Sequence, residues 1–142
     1  SAVSRCEEAM RGVERAGMLR VQLMELDALL LHGRVAVASG ASRKRGLRTL
    51  ARYARRLEGL DGRLARAAAC HLRAIEAKVS GDERSARRLY REAAERFADA
   101  EADMWSLVAR RLADPEDTAA VDAQIRERGV VDPAKWSRLF GV

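Results

Sequence analysis

The chain has 142 residues and a formal net charge of +6 at pH 7, with 48% hydrophobic, 34% charged and 4% aromatic residues. That length suits one domain with a modest core, and the hydrophobic share excludes disorder by composition. Too few aromatics are present for a β-sandwich or barrel. No apolar run reaches the roughly 18 residues of a membrane span, and two cysteines do not build a disulfide scaffold.

The commonest residues are 27 Ala, 24 Arg and 16 Leu, all helix formers. Residues 3–15 read as a first helix, with Cys6, Met10 and Val13 at spacings of four and three. Residues 18–38 read as a longer one, with stripes Leu19, Leu23, Leu26, Leu30 and Val21, Leu29, Val37. An apolar surface that wide implies neighbours on two sides. Gly40 is placed to end it and Ser42 to cap the next helix. Residues 43–58 follow, then a Gly59–Gly62 turn and an Ala-rich helix over 63–79, whose small side chains permit close approach. Gly81 ends that helix and Asp82 caps a helix over 83–101, with Ala86, Leu89, Tyr90, Ala93 and Phe97 on one face. A further helix over 103–113 carries Trp105, Val108 and Leu112. Asp114-Pro115-Glu116-Asp117 has the pattern of a helix start, with a capping Asp and Pro at the first position, and that helix runs to about Arg128. Asp132-Pro133 opens a last short helix with Trp136, Leu139 and Phe140. Trp105 and Trp136 are expected to anchor a C-terminal cap. Alternatively, Trp136, Leu139 and Phe140 form an exposed docking motif, and an apolar chain end of that kind invites a homodimer.

The charge is unevenly placed. Between Ala28 and Leu57 stand eight basic residues and no acidic one, so the rest of the chain holds 19 basic against 21 acidic residues. The 24 Arg against 3 Lys fit GC-rich coding, but coding bias does not account for the missing acids. On a helical wheel Leu47, Leu50, Ala51, Ala54 and Leu57 share an arc of roughly 120°. Lys44, Arg45, Arg48, Arg52, Arg55 and Arg56 fill an adjacent arc, with Tyr53 at the apolar edge. Four readings of this basic helix stay open: a face salt-bridged to acids of a neighbouring helix, a dock for an acidic protein, a nucleic-acid contact, or an anionic membrane contact. Base stacking is disfavoured by the lack of interleaved aromatics, and membrane binding by the lack of an apolar face free of the core.

No phosphate-binding loop, dinucleotide fingerprint, kinase motif or nucleophile elbow occurs, so no catalytic or cofactor-binding residue is assigned. Cys70 and His71 are adjacent and point about 100° apart on a helix, which argues against a shared metal ion. His32 and His71 are expected to have ordinary polar partners. Glu92, Glu95 and Asp99, interleaved with Arg88, Arg91 and Arg96, read as a solvated, salt-bridged face rather than an acid–base pair. Cys6 and Cys70 are expected to be reduced, at least one of them buried, in a cytoplasmic protein. A first residue that is Ser rather than Met fits a piece of a longer chain.

Two long helices closed by glycine, at Gly40 and Gly81, lie 41 residues apart, and each precedes an Arg-rich amphipathic helix. Cys70–Phe97 is similar to a tetratricopeptide repeat. Ala74 stands at the small position of its first helix. Gly81, Ala86, Tyr90 and Ala93 match its turn glycine and its small/large/small pattern. The aromatic near the start of the first helix is replaced by Cys70. Residues 18–58 resemble a degenerate repeat, residues 63–101 a better one, and 103–142 capping helices. The tail from Arg128 to Trp136 looks like the closing segment of helical-repeat regions at the C-terminus of large bacterial signalling proteins, serine/threonine kinases among them.

The resemblance implies one all-α domain over 1–142, a tetratricopeptide-like α-solenoid of six or seven helices in stacked hairpins. It implies a non-catalytic protein–protein interaction module that needs no cofactor. The expected partner is an acidic protein or an upstream domain of the same chain, met through Lys44, Arg45, Arg48, Arg52, Arg55 and Arg56. The alternative is a nucleic-acid-associated helical regulatory domain that uses the same helix, 43–58.

Overall fold

Apolar residues at spacings of three and four, broken by glycine-bearing turns, favour helices that fold back on one another. A computed structural model of the chain describes residues 43–141. Among the described residues stand six helices: α1 (Arg43–Glu58), α2 (Arg63–Val79), α3 (Glu83–Asp99), α4 (Asp103–Ala113), α5 (Ala119–Glu127) and α6 (Pro133–Ser137). The described residues are all-α, with no strand among them. The expected helices over 3–15 and 18–38, together with Cys6, His32, Gly40 and Ser42, lie outside the described residues. The bounds expected for α1, α2 and α4 are the observed ones, and α3 ends two residues earlier than expected.

The helix ends explain the sharp turns. After α2 the chain enters the left-handed region at Gly81, φ 85°. There the Asp82 N–H donates to the Ala77 carbonyl at 2.9 Å and the Gly81 N–H to Lys78 at 3.1 Å, which satisfies the last carbonyls of α2. The same pair of bonds closes α3, from Ala102 to Phe97 at 2.8 Å and from Glu101 to Ala98 at 3.0 Å. Here the left-handed residue is Glu101, φ 59°, whose Cβ makes that conformation costly by roughly 1 kcal/mol. Asp82 caps α3 by accepting from the Ser85 N–H at 3.1 Å, and that bonding holds its carboxyl below the usual carboxylate range.

One expected helix start is corrected. Asp114-Pro115-Glu116-Asp117 forms a turn, with the Asp117 N–H donating to the Asp114 carbonyl at 3.1 Å, and α5 begins only at Ala119 behind Thr118. The acids serve α3 instead of capping α5. Arg91 Nη2 donates to Asp114 Oδ1 at 2.5 Å, and Arg87 forks onto both Glu116 carboxylate oxygens. These bonds hold both carboxyls below their usual range. Both carboxylates are taken up in bidentate pairing with arginines of α3 and so do not cap α5.

The core lies along the seams between consecutive helices. Leu50, Ala54 and Leu57 of α1 meet Ala68, Leu72 and Ile75 of α2, with Ala86 and Tyr90 of α3 in the same cluster. A second cluster joins Ala67 of α2, Ala93 and Phe97 of α3 and Ala109 of α4. Alanine dominates where the backbones approach most closely. Each fully buried leucine contributes about 1.5–3 kcal/mol. Ile125 is the buried anchor of α5, and Arg111 Nε donates to Asp122 Oδ1 at 2.7 Å to fix that helix on α4.

The C-terminal segment folds back over this core. The Phe140 ring packs edge-on against Trp105 at 4.7 Å and Trp136 at 5.0 Å, and Trp105 stacks on Phe97 at 5.6 Å. Phe140 thus joins the aromatic cluster, while Leu139 is half exposed, so the three side chains do not form one outward-facing motif. His71 has the polar partner expected of it on one ring nitrogen only. It is wholly buried, edge-on to Tyr90, Phe97 and Trp105, and its Nε2 lies 2.7 Å from the Phe140 carbonyl. A carbonyl only accepts, so Nε2 carries the proton, which leaves Nδ1 as a buried acceptor without a partner.

Candidate functional site

The basic stretch becomes one exposed ridge. Lys44, Arg45, Arg48, Arg52, Arg55 and Arg56 are all solvent-exposed on α1, while Leu50, Ala54 and Leu57 bury the opposite arc. The first turn of α1 has no acid, and Arg55 and Arg56 sit in the last turn, where cations suit the helix dipole. Arg45, Arg48, Thr49, Arg52, Arg55 and Arg56 line one open groove. The Arg52 guanidinium lies 5.6 Å over the Tyr53 ring, which itself packs on the core. Arg55 Nε donates to the Ala51 carbonyl at 3.4 Å.

Several ion pairs lie away from this ridge. Arg73 bonds Glu58 and Glu76 at 2.9 and 3.0 Å, Lys78 bonds Glu83 at 3.1 Å, and Arg96 bonds Glu92 at 2.8 Å. Among the described residues, Lys44, Arg45, Arg48, Arg52 and Arg55 make no ion pair. The neighbouring helix α2 faces α1 with alanine, leucine and isoleucine rather than acids. Glu58, the one acid of α1, is engaged by Arg73.

The acidic face expected on α3 is divided. Glu92 accepts from Arg96, whereas Arg91 turns to Asp114 on the next loop. A second basic cluster, not singled out from the sequence, joins the two ends of the α2–α3 hairpin. Arg63 and Arg66 from the first turns of α2 and Arg96 from the last turn of α3 line one cavity of about 450 Å³ with Asp99. The three-residue turn 80–82 reverses the chain, so the start of α2 returns beside the end of α3. The i,i+3 spacing of Arg63 and Arg66 was the available signal.

Cys70 is half-buried, and its thiol donates to the Leu89 carbonyl at 3.3 Å. Burial, with a smaller contribution from Glu92, pushes it up to about 11, so it is no nucleophile at neutral pH. Among the described residues, no group of three or more His, Cys, Asp or Glu could hold a metal ion, and no helix is long and apolar enough to cross a membrane. No protein-family model, curated protein or solved structure matches the chain.

Proposed function

We propose that the chain is a non-catalytic docking module, a tetratricopeptide-like stack of helical hairpins whose α1 ridge binds an acidic protein segment. That segment belongs to a separate protein or to an upstream domain of the same chain. The context we propose is the C-terminal region of a large bacterial signalling protein such as a serine/threonine kinase, on the strength of the Arg128–Trp136 tail.

One observation carries the docking reading. The described chain neutralises Arg73, Lys78, Arg87, Arg91, Arg96 and Arg111 with its own carboxylates, yet leaves Lys44, Arg45, Arg48, Arg52 and Arg55 without any. Like charges along one helix face repel at i,i+4, so such a ridge costs stability unless a partner neutralises it. The repeat reading is supported by the burial of Ala74, Ala86, Tyr90 and Ala93 at the helix seams and by the left-handed Gly81 between α2 and α3. Arg45, Arg48 and Arg52 project along about 10 Å of one helix face, a rigid array that needs little ordering on binding.

The test uses a fluorescent 20-residue glutamate-rich peptide and a single-stranded oligonucleotide of equal charge, titrated with the protein at 50 and 200 mM NaCl. The docking reading expects the peptide to bind more tightly, and Arg48→Glu with Arg52→Glu to abolish its binding. Tighter oligonucleotide binding with a steep salt slope moves the ridge to nucleic acid. An unchanged peptide isotherm in the double variant removes the ridge from binding altogether.

A further inference from the structure

The cavity at the open end of the α2–α3 hairpin suggests a second recognition site, distinct from the α1 ridge. Its lining carries three guanidinium groups and the Asp99 carboxylate, and with Arg96 already paired to Glu92 the local charge is +1. The three arginines are incompletely used. Arg66 makes no ion pair among the described residues. Arg63 Nη1 has only a long bond, 3.4 Å, to the Asp99 backbone carbonyl. Arg96 gives Nε and Nη2 to a single oxygen of Glu92, which fixes its plane and leaves Nη1 to face other acceptors. Planar guanidiniums positioned this way match a tetrahedral oxyanion, for which forked donation is favoured over point charges.

The cavity also continues. Arg66 and Arg96 also line an adjoining groove, together with Ala69, Cys70, Arg73 and Leu89. Glu58 and Glu92 line that groove too, but each is already held by an arginine, so neither is a strong repellent. An anion pocket that opens onto a groove with apolar residues among its charged ones suits a peptide better than a free ion, because the peptide's flanking side chains have a surface to cover.

We propose that Arg63, Arg66 and Arg96 bind a phosphomonoester dianion carried on a peptide side chain, with the flanking residues laid over Cys70 and Leu89. A phosphate of this kind carries a charge near −2 at pH 7, the sign that Arg63 and Arg66 attract, and its second ionisation near pH 6 makes it distinguishable from any permanent anion.

The experiment measures binding to a short alanine-rich peptide bearing one phosphoserine, with its serine and glutamate versions, inorganic phosphate and sulfate as comparators. The phosphopeptide is expected to bind at least about tenfold more tightly than the glutamate peptide and more tightly than free phosphate. Its affinity should fall as pH drops from 7.5 to 5, while that of sulfate stays level. Arg66→Glu, and separately Arg63→Gln with Arg96→Gln, should abolish binding. All three side chains are exposed, so circular dichroism should show the fold intact. Arg48→Glu with Arg52→Glu should leave phosphopeptide binding within about twofold, because those residues lie on the other surface. That control separates failure of this site from failure of the α1 ridge. The proposal is overturned by equal binding of the glutamate peptide, by free phosphate matching the phosphopeptide, by a pH-independent affinity, or by loss of binding only in the α1 variant.

Discussion

The buried His71 makes stability depend on pH in a window where few other groups titrate. Burial lowers its folded pKa from an ordinary 6.5 to about 4, against a smaller opposing effect of the Phe140 carbonyl bond. Between those values the unfolded chain binds the extra proton and the native chain does not. Stability is therefore complete above pH 6.5, declines as pH falls, and levels off below 4. The full loss is about 3 kcal/mol, with about 2 kcal/mol of it gone by pH 5. Urea unfolding followed by tryptophan fluorescence at pH 7.5, 6, 5 and 4.5 measures the curve. Trp105, at 5.9 Å from the imidazole, reports the core directly. His71→Leu should be less stable at pH 7.5 by about 1–3 kcal/mol, because the Phe140 carbonyl loses its donor, and should lose most of the slope between pH 7.5 and 5. A slope unchanged in His71→Leu, or an imidazole that titrates near 6.5 by NMR, would refute the reasoning.

Three further outcomes rest on single positions. Glu101→Gly relieves the left-handed strain at the end of α3 and should stabilise the fold by about 1 kcal/mol, read as a higher urea midpoint at constant slope; a lower midpoint argues against that strain. The Tyr90 hydroxyl is buried without a partner, so Tyr90→Phe should be neutral or stabilising by up to about 1 kcal/mol, whereas a clear loss of stability means the hydroxyl is bonded. In a Cys6→Ser background, Cys70 should react with iodoacetamide at pH 8 about 100-fold more slowly than an ordinary thiol, because its pKa is near 11 instead of 9; a rate near that of free cysteine contradicts its burial.

How much of this was legible in the sequence depends on the range of the forces involved. The bounds of α1, α2 and α4 follow from apolar spacing and from local breakers such as Gly59 and Gly81, so they could be read directly. The end of α3 could not, because Glu101 fills a position where the expected signal is glycine. The misplaced start of α5 has a tertiary cause. Asp114 and Glu116 lie 23 and 29 residues from the arginines that claim them, and no local pattern announces that pairing. His71 likewise owes its environment to Phe140, 69 residues later. For the α1 ridge, composition showed the run of arginines, but only the arrangement of α2 shows that this neighbour meets α1 with apolar side chains. The cluster of Arg63, Arg66 and Arg96 needs the hairpin to close before it exists at all.

Whether Arg45, Arg48 and Arg52 are what a partner recognises is asked most directly by a charge swap. Arg45→Glu, Arg48→Glu and Arg52→Glu together should lose the glutamate-rich peptide and gain a lysine-rich peptide of the same length, with the preference reversed by at least about tenfold at 50 mM NaCl and weakened at 200 mM. A triple variant that stays folded yet keeps the original preference, or binds neither peptide while the wild type also binds neither, contradicts the assignment of α1 as the docking surface.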